Sequence, residues 1–324
     1  MNQNDTENNV VELNYPASSV GRNLAMRLFD AFVWIFLGMI LTIGTLFAIQ
    51  GNGTYKGWNE RLTQIREEST IYKTLKGKQI NIYDYVYQDE EMTLDEKSSV
   101  VDSSLTYFFT VFLKEELNGE GSKIYLDYKL EEVDSDGNKL FNSDGSRAVV
   151  SDDYDVIYLS AYGNILIDKA LGYLNSKPEY LSLKKKTSLC YLIGIPLTFV
   201  LSYIIVYYII PLCFSRGKKT LGMLVTKTAL LQVDGMSCKV GRFTLKFLFK
   251  MFIILIGSIF GLLIPLAVSI TMIVVMKSHQ SFSEYVTNTY IVLADEQTVY
   301  KDKSEFCLAN TYYTEKDVKD IKLK

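Results

Sequence analysis

The 324-residue chain has little of several things that would each define a function class. It holds four cysteines, at positions 190, 213, 238 and 307, with no Cys-x-x-Cys pair, which excludes a disulfide scaffold. It holds one histidine, His279, so neither a zinc site nor Ser–His or Cys–His catalysis has the residues it needs. Its net charge of −3 gives no bulk basic signal for nucleic acid. Five prolines and twenty glycines leave no low-complexity tract. No metal, cofactor or catalytic group is therefore expected.

What is present in excess is apolar residues, at 48% against 22% charged, and they are gathered into blocks. Residues 28–49 carry one charge, Asp30, while residues 189–214 and 251–276 carry none. A bilayer core of about 30 Å takes about 20 apolar residues as a helix, so each block is long enough to span. The first follows some two dozen mostly polar residues and lacks a small-x-small cleavage site, and is expected to stay as an anchor.

The small net charge conceals a partition. Residues 51–187 hold 17 basic and 24 acidic residues, whereas residues 213–250 hold eight basic residues and one acid, Asp234. Basic segments beside a span stay cytoplasmic. The expected architecture is an α-helical integral membrane protein with three or four membrane segments and an inserted α+β extracytoplasmic domain. Residues 1–20 form a polar N-terminal segment on the cytoplasmic side, and 21–50 the first transmembrane helix. Residues 51–187 are the insert, 188–214 the second span and 215–250 a basic cytoplasmic loop with an amphipathic segment. Residues 251–276 are a third membrane segment, and 277–324 the C-terminal segment. With Gly257, Gly261 and Pro265 inside it, the third apolar stretch is either one long helix, an interfacial helix followed by a span, or a re-entrant hairpin.

Within the insert, Thr93 with Glu96 predicts a capping box opening a helix to about residue 117. Alternation over 124–133 predicts a strand, and the Asp-Gly pairs at 136–137 and 144–145 predict turns. A second helix is expected over 155–174. In the basic loop, 224–233 reads as a strand ending in the Asp234-Gly235 turn. Arg242, Lys246 and Lys250 then fall at i, i+4 and i+8, which predicts either a helix presenting a basic face to anionic lipid head groups or an ordinary extension of the third apolar segment.

Asp30 lies one turn inside an apolar run, three residues after Arg27, where the two share a helix face and can pair. The segment Ala25-Met26-Arg27-Leu28-Phe29-Asp30 resembles the opening of the RDD family of small membrane proteins. Gly217-Lys218-Lys219-Thr220-Leu221-Gly222-Met223 resembles that family's Gly-x-Thr-x-Gly segment, and 224–235 the strand-like stretch that follows it. Residues 281–292, with Glu284 and Thr289, are similar to its block after the last hydrophobic segment. Glu284 stands where Asp is usual, Ser283 where His is common and Asn288 where Gly is usual, while Arg22 competes with Arg27 for the role of the family's first Arg. The resemblance covers about 16–50 and 188–295 and leaves the insert outside. It implies a polar site built from Arg27, Asp30, Glu284 and Arg22, a tail that starts on the cytoplasmic side, and transport of an ion or small solute such as a cation or proton. With so few spans, the pathway would need a homo-oligomer or another membrane protein. The alternative is a sensor or scaffold whose insert binds a ligand or partner.

Overall fold

A computed structural model describes residues 10–149, 151–261, 263–295, 298–310 and 320–323. Among the described residues the chain is mostly helical, with three two-stranded sheets. It divides into two compact units, one of Met1–Thr45 with Gly194–Lys324, the other of Leu46–Ile193.

Two helices are long and apolar enough to cross a membrane, Val20–Gly51 and Pro178–Cys213, with mean hydropathies of 2.4 and 2.3 in their most apolar windows. Only 6% and 22% of those windows are buried. Phe32, Phe36, Leu197 and Leu201 are among the exposed apolar side chains. Such contiguous apolar surface is unfavourable against water and neutral against lipid.

Within the first unit the two helices are joined by close approach and buried polar contacts. A Cβ on Gly38 would lie 2.7 Å from the Phe199 ring, so only glycine admits that ring. Trp34 Nε1 donates to the Phe199 carbonyl at 2.9 Å, and the Thr42 and Thr198 hydroxyls meet at 2.7 Å. Polar groups in an apolar helix pair find partners across the interface because apolar neighbours offer none.

The third apolar block is not one span. A helix starts at Val240, passes through a π-helical stretch, Phe249–Ile256, and ends at Phe260. Leu263, with φ of 67°, precedes a second helix, Ile264–Val275, whose first turn takes Pro265. That helix has 12 residues, about 18 Å at 1.5 Å per residue, too short for a 30 Å core. The excursion begins and ends at one place, since Lys246 and Glu284 are 3.1 Å apart. The third apolar block is therefore two helical arms joined at residues 261–263, which departs from one long helix.

The basic loop contains a strand shorter than expected. One helical turn, Leu221–Val225, capped by Thr220, occupies the start of the predicted strand, and the strand is Thr228–Gln232. It pairs antiparallel with Thr289–Leu293, with Thr228 opposite Leu293 and Gln232 opposite Thr289. All five of its residues are buried, the polar Thr228 and Gln232 at its ends included. The Asp234-Gly235 turn forms, with Gly235 at φ of 70° and Asp234 accepting from the Met236 N–H at 3.1 Å.

The second unit has its own core, including Ile71, Ile82, Val101, Leu105, Phe108, Tyr158 and Leu166. The capping box forms, with Thr93 N–H donating to Glu96 at 2.8 Å and Glu96 N–H to Thr93 at 3.3 Å. The helix it opens, Leu94–Tyr107, continues as the π stretch Phe108–Phe112. The helix expected over 155–174 runs from Asp152 through Ser176. The strand expected over 124–133 is corrected to the helix Gly121–Glu131. Its buried residues are Gly121, Tyr125 and Lys129, a spacing of four, and the apparent alternation came from half-buried flanking positions. Tyr125 stacks on Phe109 at 5.3 Å and Lys129 pairs with Asp102 at 2.7 Å, contacts only a helix delivers together. A β-hairpin, Tyr72–Leu75 with Lys78–Asn81, turns at Lys76-Gly77, both at positive φ.

Candidate functional site

The first long helix carries Met26, Arg27 and Asp30 on one side. A cavity of about 40 Å³ is lined by these residues, by Tyr207, by Lys218 and Thr220, by Lys246 and Lys250, and by Glu284. Four separate segments therefore contribute charge, with four cations and two carboxylates around a space for one or a few waters.

Glu284 is 1% exposed and is held on both oxygens. Arg27 Nη2 donates to Oε1 and Oε2 at 2.8 Å each, Lys246 Nζ lies 3.1 Å from Oε1, and the Ser281 N–H donates to Oε2 at 2.8 Å. Burial by itself raises the carboxyl's pKa. Arg27, Lys246 and the Ser281 donors outweigh burial and hold it far below the usual carboxylate range. Ser281 precedes the short helix Phe282–Val286, and Glu284 at its third position folds back onto the Ser281 N–H, which orients the carboxylate before any cation reaches it.

Asp30 does different work. Its Oδ2 accepts from the Thr220 hydroxyl at 2.6 Å and its Oδ1 from the Gly222 N–H at 2.7 Å. Asp30 thus holds the first turn of Leu221–Val225 against the long helix. A Cβ on Gly222 would lie 2.3 Å from the Met26 carbonyl oxygen, so glycine is required for this approach. The expected Arg27–Asp30 pair is absent among the described residues, because Arg27 turns to Glu284 and Asp30 to backbone and hydroxyl donors.

The sequence-predicted residues fall into three groups. Arg27, Asp30 and Glu284 line the cavity as a set, with Thr220 from the family-like segment, while Gly222 of that segment donates its N–H to Asp30. Gly217, at φ of 81°, donates its N–H to Ser237 at 2.8 Å, and a Cβ there would meet Ala229 at 2.7 Å, so it shapes the strand's approach. Thr289 is buried at the start of its strand, and Lys219 is half-buried outside the cavity. Arg22 is exposed and its N–H bonds only the Ser19 hydroxyl, so it has no part in the cluster.

The basic face expected of Arg242, Lys246 and Lys250 is divided. Arg242 is exposed, but Lys246 is 8% exposed and paired with Glu284. Lys250 is half-buried, with its Nζ 3.7 Å from the centre of the Tyr207 ring. The buried stripe runs through Phe243, Lys246 and Phe247, at spacings of three and one, so packing of the phenylalanines carries Lys246 inward with them. Lys218 and Tyr207 were not singled out by sequence. Lys218 is the buried neighbour of Lys219, and only the positive φ at Lys218 sets which of the two turns in.

Comparison of the chain with protein-family models, with curated proteins and with solved structures finds no match.

Proposed function

We propose that the chain is an RDD-like integral membrane protein that moves a small ion or solute through the charge cluster around Arg27, Asp30 and Glu284. The observation that carries this reading is the cluster itself. Six ionisable groups lie at apolar helices, where charge is costly and by default functional. The basic segment orients the N-terminus and the cluster to the cytoplasm and the acidic insert outside. The motif resemblance and the return of the tail to Arg27 support the same arrangement.

The charge balance refines the choice of solute. Both carboxylates have their oxygens engaged by donors, and the cations outnumber them by two. A metal cation meets a positive site with no free oxygen, whereas a small anion or a proton released from an amine fits. A homo-oligomer would supply the remaining walls of a path, and Arg242 a contact to anionic head groups.

The size of the insert and its separate core favour a second reading, in which the insert senses a ligand or partner and the membrane unit anchors it. Flux into proteoliposomes separates the two. Transport predicts anion- or proton-dependent flux that Asp30→Asn and Lys250→Gln reduce at least about tenfold, while deletion of residues 55–180 leaves flux in place. Absence of flux from the folded wild-type chain rejects transport. Loss of cellular function on deleting the insert, with little effect of Lys250→Gln, selects the sensor.

A further inference from the structure

Beside the charge cluster runs a second cavity of about 360 Å³. Trp34, Tyr203, Leu255, Ile259, Leu266 and Ile270 are among its walls, from both long helices and both arms of the third apolar block. Arg27, Tyr207 and Lys250 line both cavities, so the apolar groove meets the polar cluster at two cations.

Those cations have donors to spare. Arg27 Nη2 is engaged by Glu284, but its Nε is buried with no hydrogen-bond partner. Lys250 makes no ion pair among the described residues and rests against the Tyr207 ring. Lys250, with no ion pair among the described residues, and Arg27 both line the groove, and cations at the edge of an apolar groove are completed by an anionic acceptor from outside the chain. Water satisfies the donors but not the apolar length of the groove. A small inorganic anion has the same shortcoming. The complementary molecule has an anionic head with several acceptor oxygens and an unbranched apolar tail.

We propose that this groove binds an anionic phospholipid, with its phosphate at Lys250 and the exposed part of the Arg27 side chain and one acyl chain along Leu255, Ile259 and Ile270. The volume lies in the range of small-molecule sites, about 300–1,000 Å³. Basic pockets between membrane helices on the cytoplasmic side suit such head groups. The site rests on the membrane location proposed above and is independent of whether the chain moves an ion. Bound there, the lipid phosphate offsets the excess positive charge of the cluster, which makes the lipid part of the site's electrostatics.

The test uses the purified full-length chain, delipidated in detergent, with lipid binding read by native mass spectrometry. The probes are phosphatidylglycerol and phosphatidylcholine with matched oleoyl chains, and free oleate. Phosphatidylglycerol is expected to bind about tenfold or more tightly than phosphatidylcholine. Lys250→Gln is expected to lower phosphatidylglycerol affinity about tenfold and to leave phosphatidylcholine unchanged. Ile270→Trp, which fills the groove and touches no charge, is expected to remove the tight site without lowering the unfolding midpoint, and Ala31→Phe does the same from the opposite wall if the first variant fails to fold. Equal binding of the two phospholipids, oleate binding as tightly as phosphatidylglycerol, or full binding by a folded groove-filled variant overturns the proposal. Extraction of the chain from cell membranes by alkaline carbonate would instead overturn the membrane location on which the site rests.

Discussion

Replacing Glu284 by glutamine is the sharpest perturbation of the cluster. The carboxylate is 1% exposed and accepts from Arg27 twice, from Lys246 and from the Ser281 N–H. Glutamine keeps one carbonyl oxygen and places an NH₂ where an acceptor is needed. It leaves the half-buried Arg27 and the buried Lys246 without their carboxylate partner. Breaking a buried pair by removing one partner costs about 3–5 kcal/mol, so Glu284→Gln is expected to lose that much in a denaturant titration of the detergent-solubilised chain. Lys246→Gln alone is expected to cost less, about 1.5–3 kcal/mol, because Arg27 still holds Glu284. In the double variant one of the two orphaned cations is gone. The combined loss is therefore expected to fall at least about 1 kcal/mol short of the sum. The pH dependence follows from the direction of the Glu284 shift. A carboxyl whose folded pKa is depressed contributes stability that is fully present above its unfolded value, near 4.5, and is lost only as pH falls towards the folded value. The difference between wild type and Glu284→Gln is thus expected to be constant from pH 8 down to about pH 5 and to shrink below. Additivity of the two substitutions within about 0.5 kcal/mol, or a difference that vanishes between pH 7 and 5, would refute the shared network.

Other positions give equally definite expectations. Asp30→Ala strands the Gly222 N–H and the Thr220 hydroxyl and is expected to cost about 2–4 kcal/mol in the same titration, whereas Asp30→Asn retains one acceptor and costs about half as much. Equal costs would argue against the two bonds. Gly222→Ala drives a methyl into the Met26 carbonyl oxygen and is expected to lower the thermal midpoint, while Gly241→Ala, with nothing within 4 Å, leaves it unchanged. Thr93→Ala removes half of the capping box and is expected to weaken amide-exchange protection of the helix start by about 1 kcal/mol, with no change in the membrane unit.

Much of this was legible in the sequence where one physical signal dominated. Long uncharged blocks can only be helices in lipid or a core, and two of the three are single helices long enough to span. The third carried its own breakers, Gly261 and Pro265, and folds as two arms. Asp30 and Arg27 stand out because charge inside an apolar run is rare, whereas Glu284 joins them only through the family-like segment, which also proposes Arg22, a residue the structure leaves exposed and outside the cluster. Their bonds were not found, because i, i+3 proximity permits an Arg27–Asp30 pair but does not compete with a bidentate carboxylate from a distant segment. The spacing of Arg242, Lys246 and Lys250 puts them on one face and the phenylalanines on others, but Lys246 adjoins Phe243 and Phe247 on the buried side and turns inward with them. The strand expected over 124–133 failed for a related reason. Alternation over a few residues does not distinguish a strand from a helix whose flanks are half-buried, and the packing of Tyr125 on Phe109 decides it.

The most direct test of a cluster assembled from the first helix, the basic segment and the tail is the side of the membrane on which they lie. Single cysteines replace Arg22, Lys239 and Lys301, all exposed, in a chain whose four native cysteines are serine, and an impermeant thiol reagent is applied to intact cells and to inverted vesicles. All three positions are expected to label only in inverted vesicles, because the Lys246–Glu284 and Arg27–Glu284 bonds require the three segments to meet on one side. Labelling of Lys301→Cys in intact cells, with Arg22→Cys and Lys239→Cys protected, would put the tail on the other face and contradict the cluster outright.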